Sequence, residues 1–455
     1  MIIKGGAKQI LIVAFWLLVW QIAAWAVGNG ILLAGPLDAA MALAAGIVTP
    51  AFWSAVGFSF ARILAGFAIA FALALGLGCA SWKSALFRDV LHPLVTFMKS
   101  VPVVCIIVLL LVWTGAANVS VIAVAPMVFP PVYFACLEGL QQTSDDMRQM
   151  LDVFGVRTGW RVRYYYLSAV MPYIASASKV VVGIAWKSGI AAEVIGIPTG
   201  SIGAGIYSAK IGLSTADLFA WTFAVVALSA LCEKLFLKLL GRFASMSATL
   251  PRAKGAQEAA PASAASITLS NVSFAYDGEP VINGFTKTFE AGRRYCLMGP
   301  SGSGKSTLMD LMCGFAEPAA GSVIRPGKLS RDFQEDRLIP TLSAWGNVAL
   351  ACPTLPSHER DLLKFDLDEL LGEDSSKLAI DACSGGMKRK VALVRALAAP
   401  GDVLLLDEPF AGLDDVSKAD AIALINRHLR SRTLIVATHD RNDPAFLAAE
   451  LVRIP

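Results

Sequence analysis

Apolar runs long enough to cross a bilayer recur through the first half of the chain. The first occupies 10–27, and others lie near 58–80, 95–114, 119–138, 170–195 and 217–239. About 20 residues at 1.5 Å rise cover ~30 Å of hydrocarbon, so the pattern predicts about six spanning helices in a polytopic α-helical domain over 1–244. The opening MIIKGGAKQ and the run after it look like a signal peptide, but the run is long for that role and further apolar runs follow. It therefore reads as the first span. The stretch from His92 to Trp113 contains Pro93, Lys99 and Pro102, which predicts a short helix ahead of the span proper. Residues 245–266 are rich in Ala, Ser and Pro without an apolar period, the composition of a flexible tether. From Ile267 onward short β-type runs alternate with helical stretches, so 267–455 reads as an α/β domain.

Charge sharpens this division. The 455 residues are 56% hydrophobic and 16% charged, against about 25% charged in an ordinary soluble chain. The first 250 residues hold 25 charged side chains and the last 205 hold 49. One half thus has the balance of a membrane protein and the other that of a soluble domain. Such hydrophobicity excludes disorder, and a net charge of +4 is too small to imply a nucleic-acid partner. Lys and Arg alternate between loops. They occur at Lys4 and Lys8, at Lys83 and Arg88, at Arg148, Arg157, Arg161 and Arg163, and at Lys234, Lys238 and Arg242. The segments 29–57 and 115–120 have none, and 197–216 has only Lys210. The positive-inside rule then places both ends of the membrane half, and the whole second half, in the cytoplasm. Eight scattered cysteines without a CxxC pair argue against a zinc site or disulfide framework and fit a reducing compartment.

Gly155 and Pro172 stand seventeen residues apart around the longest basic loop, followed by Ala192-Glu193 and the glycine-rich run 200–205. This frame resembles the inner-membrane permeases of binding-protein-dependent ABC importers, notably the nitrate, sulfonate and taurine branch. Their cytoplasmic motif is E-A-A, three residues, Gly, then a distant Pro. Here Gln149, Met150 and Leu151 hold the first three positions, so the acidic start is missing. The resemblance implies a short helix that docks on a cytoplasmic partner, with Gly155 permitting a sharp turn. The basic residues 157, 161 and 163 fit an alternative in which the loop meets lipid headgroups. Lys187 and Glu193 fall inside the fifth run, where ionisable groups are expensive. They fit either a translocation path or permease–permease contact, or else snorkelling or pairing with another helix.

The strand candidate RRYCLMG leads into GPSGSGKST at 299–307, which satisfies G-x-x-x-x-G-K-[ST] with the required strand before it and helix after it. Gly299, Pro300, Ser301, Gly302, Ser303 and Gly304 would cradle phosphates with backbone N–H groups. A helix N-terminus adds a favourable dipole. Lys305 would neutralise the β- and γ-phosphates, and Ser306, beside Thr307, would ligate Mg²⁺. Kinases, GTPases and helicases share this loop. The order of the later motifs resembles the ATPase subunits of ABC transporters: DACSGGMKRK with Ser384, Gly385 and Gly386, then DVLLLDEPFAGLDD, then TLIVATHD. The resemblance implies that Tyr276 stacks on adenine and that Gln334 reaches Mg²⁺ or the attacking water. It makes Asp407 a Mg²⁺ ligand, Glu408 the residue that orients or deprotonates water, His439 a γ-phosphate contact and Asp414 a bridge between two ATPase faces. Cys383 and Met387 replace the usual Leu and Gln of the signature.

In that family the Ser-Gly-Gly signature completes the opposite subunit's site. One phosphate loop and one signature per chain therefore imply a homodimer binding two ATP. The expected protein is a multi-pass, cytoplasmic (inner) membrane importer of a small-molecule solute, embedded in membrane lipid and served by a periplasmic or lipid-anchored solute-binding protein. Sixteen residues follow His439, and no further regulatory domain is expected there. An exporter half-transporter and a non-transporting membrane ATPase share the domain order. Short loops and the Gly155…Pro172 frame favour import.

Overall fold

The computed structural model describes residues 5–247, 264–276, 278–300, 302–352, 355–372 and 375–454. Most of the expected tether, 248–263, lies outside the described residues. The chain forms two compact units, Met1–Gln142 with Ala169–Phe243, and Thr143–Ser168 with Ala244–Pro455. The loop at 143–168, which the sequence pattern groups with the membrane half, belongs to the second unit.

The first unit is helical. Helices Lys8–Val27, Pro50–Lys83, Ala116–Gln141 and Thr158–Gly196 are long and apolar enough to cross a membrane. The pair Ala85–Ser100 and Val103–Thr114, bent by 104° at the break, has the length and composition of a fifth, broken span or of a re-entrant loop. The expected short helix before a full span is thus corrected. The piece after Pro102 has only 12 residues, about 18 Å at 1.5 Å per residue, and is too short to span alone. The six-span expectation is also adjusted. The last run lies on helix Thr215–Ser247, which is long enough but is not among the helices that meet the apolar criterion. Glu233, Lys234, Lys238 and Arg242 sit in its second half.

Local chemistry sets the helix starts. Thr49 caps Pro50–Lys83 by accepting the Phe52 N–H at 3.3 Å, with Pro50 in the first turn. The same helix lies so close to its neighbour that a Cβ at Gly66 would fall 2.2 Å from the Val121 carbonyl, the small-residue contact typical of membrane helix packing. Glu193 is fully buried. Its Oε2 accepts from the Ser59 hydroxyl at 2.6 Å and the Gly203 N–H at 3.3 Å, and Ser59 Oγ accepts from the Ile202 N–H at 2.9 Å. Of the two readings left open, Glu193 takes pairing with other helices. Lys187 is exposed.

In the second unit, β1 (Ile267–Tyr276), β2 (Glu279–Phe289) and β4 (Ala320–Ile324) form an antiparallel sheet in the order β2-β1-β4. A second, parallel sheet has the order β5-β6-β7-β3-β8, with β3 at Arg294–Met298, β5 at Leu329–Asp332, β6 at Val403–Asp407, β7 at Thr433–Ala437 and β8 at Glu450–Arg453. Every residue of β6 and β7 is buried, as expected of a parallel sheet covered on both faces. Alternate side chains serve opposite cores. Leu404, Leu406, Leu434 and Val436 pack toward helices Gly385–Ala398 and Asp415–Leu429. Val403, Leu405, Ile435 and Ala437 pack with helix Lys305–Cys313 and the antiparallel sheet.

Candidate active site

The order β5-β6-β7-β3 aligns the carboxyl ends of four parallel strands, the usual place for ligands in open α/β sheets. A motif leaves each end. β3 runs into 299–304 and helix Lys305–Cys313, β5 leads to Gln334, β6 to Asp407-Glu408, and β7 to His439. The loop after β3 needs its glycines. Gly302 and Gly304 have φ of +84° and +86°, and a Cβ at Gly299 would lie 2.4 Å from Ser303 Oγ. Lys305 folds back over the loop, donating to the carbonyls of Gly299 at 2.8 Å and Pro300 at 2.9 Å. Among the described residues Ser303 Oγ is buried without a hydrogen-bond partner, as suits a donor for phosphate oxygens. Ser301 lies outside the described residues.

These motifs enclose a cleft of about 570 Å³ lined by Tyr276, Gly302, Gly304, Lys305, Ser306, Thr307, Gln334, Asp407, Glu408 and His439, together with Val281 and Ala411. Glu408 holds a left-handed φ of +49°, strain of the kind kept at functional sites. Its N–H donates to the Ala437 carbonyl at 2.9 Å, and Glu408 Oε2 lies 2.8 Å from His439 Nδ1. Asp407 is buried beside Ser306. Burial raises its carboxyl above the usual carboxylate range, while the Ser306 hydrogen bond and the Arg331 guanidinium pull it back. Ser306 hydroxyl, Asp407 carboxylate and Gln334 amide carbonyl are hard oxygen donors, the set Mg²⁺ prefers.

Gly299, Pro300 and Ser303 belong to the loop but are not among the lining residues, and Ser384, Gly385, Gly386 and Asp414 stay outside the cleft altogether. Ser384 caps helix Gly385–Ala398 by accepting the Met387 N–H at 3.3 Å. A Cβ at Gly385 or Gly386 would meet nothing within 4 Å. Asp414 caps Asp415–Leu429 by accepting the Ser417 N–H at 2.8 Å, and hydrogen bonds from the Ser417 side chain and then its backbone hold the Asp414 carboxyl below the usual range. Sequence reasoning missed the charged residues behind the cleft. Arg331, buried on β5, pairs with Asp310 at 2.5 Å and lies 3.8 Å from Asp407. Next to it, Asp332 pairs with Arg389 at 2.7 Å. The available signal was two charges, Arg331-Asp332, ending a short strand.

The basic loop has its own geometry within the second unit. Helix Asp145–Val153 is capped by Ser144, and Gly155 turns with φ +58°. Met150, Leu151, Phe154, Val156, Tyr164 and Tyr165 share one core with Phe333, Ile339, Leu342, Leu350, Ala351 and Ala399. Arg337 donates to Asp146 Oδ1 at 2.8 Å and Gln149 Oε1 at 3.0 Å. The E-A-A positions therefore pack on the α/β domain. Arg161 is engaged within the loop, donating to Asp152 and to the Val156 carbonyl. Pro172 lies in helix Leu167–Gly196, just beyond a π-helical turn at Arg161–Tyr166, and falls in the first unit.

Comparison with known proteins agrees with this geometry. Residues 282–411 match the family described as ABC transporter, and residues 72–243 match the binding-protein-dependent transport system inner membrane component. The bicarbonate transport ATP-binding protein CmpD of Synechococcus elongatus is 34% identical over 189 residues, 38% of this chain and 67% of that protein. The aliphatic sulfonates import ATP-binding protein SsuB 1 of Streptomyces avermitilis is 32% identical, over 44% of this chain and 77% of its own length. The taurine import ATP-binding protein TauB of Pseudomonas fluorescens is 35% identical, over 41% and 76%.

Proposed function

The chain belongs to the ABC transporter family, with a permease domain and an ATPase domain in one polypeptide, and on that premise we propose that two copies use ATP to import a small solute across the cytoplasmic membrane. One observation carries the pairing. The phosphate loop, Gln334, Asp407, Glu408 and His439 line one cleft, while Ser384, Gly385 and Gly386 of the same chain open elsewhere. A second copy supplies its signature to this cleft, and receives this chain's signature in return.

Phosphoryl transfer depends on positioning and charge neutralisation. Tyr276 stacks on the adenine. The loop amides of 299–304 and Lys305 hold the phosphates. Ser306, Asp407 and Gln334 would hold Mg²⁺, which would supply charge neutralisation to the phosphates. Glu408 orients the attacking water and accepts its proton as the new oxygen–phosphorus bond forms and the bond to the ADP oxygen breaks. His439, hydrogen-bonded to Glu408, contacts the γ-phosphate. Asp414, exposed at its helix start, bridges to the other copy. The 149–172 stretch carries closure of the paired ATPase domains to the spans, with Gly155 and Pro172 as its turning points.

The relatives' names cover bicarbonate, sulfonates, nitrate and taurine, and also thiamine. All but thiamine carry an anionic oxyacid group, so the proposed solute is a small oxyanion or a compound bearing one, delivered by a separate periplasmic or lipid-anchored binding protein. The test is uptake into proteoliposomes containing the full chain. With the binding protein outside and ATP inside, solute-dependent ATP hydrolysis and accumulation are expected together. Accumulation without ATP, or export under the same conditions, would overturn the proposal.

A further inference from the structure

A single side chain outside the cleft holds the two segments that carry its hydrolytic residues. Arg389 lies five residues beyond Ser384 on helix Gly385–Ala398 and is buried. One terminal nitrogen, Nη1, donates to the Phe333 carbonyl at 2.7 Å and approaches the Gln334 carbonyl at 3.5 Å and Asp336 Oδ1 at 3.4 Å. The other, Nη2, donates to Asp332 Oδ2 at 2.7 Å, the Asp407 carbonyl at 2.7 Å and the Glu408 carbonyl at 3.0 Å. Nε reaches the Pro409 carbonyl at 3.4 Å. β5 and β6 end at Asp332 and Asp407, and the Arg389 guanidinium supplies donors to carbonyls at and just beyond these strand ends. A planar guanidinium offers five N–H groups in a fixed fork, which the compact ammonium of Lys cannot imitate. Asp332, fully buried, supplies the countercharge.

The strained backbone of Glu408 is therefore held on both sides, by the Ala437 carbonyl at its N–H and by Arg389 at its carbonyl. The same helix continues the contact outward. Arg395 donates to the Arg337 carbonyl at 2.6 Å and the Asp336 carbonyl at 2.8 Å, and Arg337 in turn holds Asp146 and Gln149. Along this helix, Ser384 and Arg389 are about 7.5 Å apart at 1.5 Å per residue and about 140° apart in direction. One rigid element thus presents its start outward and grips the hydrolytic segments inward.

We propose that Arg389, backed by Asp332, is a positioning residue. It ties Gln334 and Glu408 of its own site to the helix whose start meets the nucleotide bound by the other copy. This rests on the paired-copy reading above. When the signature engages the opposite nucleotide, the helix shifts as a unit and Arg389 sets the geometry of the water-orienting carboxylate. Binding of nucleotide does not need the clamp, and hydrolysis does.

The test uses the full chain, with fluorescent ATP binding, steady-state phosphate release and thermal melting measured on the same preparations. Arg389→Gln is expected to bind ATP within about threefold of the parent while kcat falls about 10- to 100-fold, the cost of a small misplacement at a reacting centre, with KM little changed and ATP cooperativity lost. Arg389→Gln leaves Asp332 buried without its cation, so the double variant Arg389→Gln/Asp332→Asn serves where the single one fails to fold. It is expected to melt like the parent and still hydrolyse slowly. A folded single variant with parental kcat, or a double variant that regains turnover along with stability, would overturn the proposal. Lost turnover with parental cooperativity would refute the link between sites. Failure of the paired-copy reading shows differently, as full, non-cooperative turnover by single parent chains.

Discussion

At the residue scale the hydrolytic assignment rests on Glu408. Its carboxylate ends a buried strand, faces His439 Nδ1 at 2.8 Å and sits on a left-handed backbone. Glu408→Gln keeps the shape and removes the proton acceptor. ATP binding is expected to survive, and phosphate release to fall about 100-fold or more, within the range for loss of a positioned general base. Filter-binding and phosphate-release assays check this, and parental turnover would reject the assignment. The residues of this cleft were legible because phosphate chemistry demands particular types at short, local spacings: glycines where φ is positive at 302 and 304, a lysine at 305, paired acids at a strand end. Arg331, Asp332 and Arg389 were not legible. Their meaning depends on β5 lying beside β6 and on a helix reaching both, relations that no local spacing encodes.

At the scale of elements, the 145–166 segment is the part of the account most open to dissection. The first three motif positions departed from E-A-A in sequence, and the structure gives a physical reason that the departure is tolerated. Met150 and Leu151 are buried in a core shared with Phe333 and Leu342, and Gln149 accepts from Arg337 through its amide oxygen, which needs no charge. Arg337→Ala removes the contacts to Asp146 and Gln149 and the stacking of the guanidinium on Phe333, 4.1 Å from the ring centre. Coupling contacts of this kind are worth about 0.5–2 kcal/mol, or about 2- to 30-fold. Uptake per ATP hydrolysed is expected to fall by that factor while detergent ATPase stays near parental. An unchanged transport ratio would show that this contact carries no coupling. The runs at 10–27, 58–80, 119–138 and 170–195 were readable as spans because apolar length is local, whereas those at 95–114 and 217–239 were not. The 104° bend at Pro102 was not, since a proline announces a break but not its angle. The readings of Lys187 and Glu193 stayed open for a similar reason, because the partners of Glu193, Ser59 and Gly203, come from distant parts of the sequence.

At the scale of the whole molecule the composition alone separated a membrane half from a soluble half. The parallel sheet then explains why four motifs scattered between residues 299 and 439 converge on one cleft. The same geometry leaves Ser384, Gly385, Gly386 and Asp414 unused within one chain, and that remainder is the basis for two copies acting together. The most direct measurement is ATP turnover and particle mass on the same detergent-purified fractions, by light scattering and phosphate release. Activity is expected only in particles containing two chains, and it should disappear as dilution separates them. Full turnover in a particle of one chain would contradict the account.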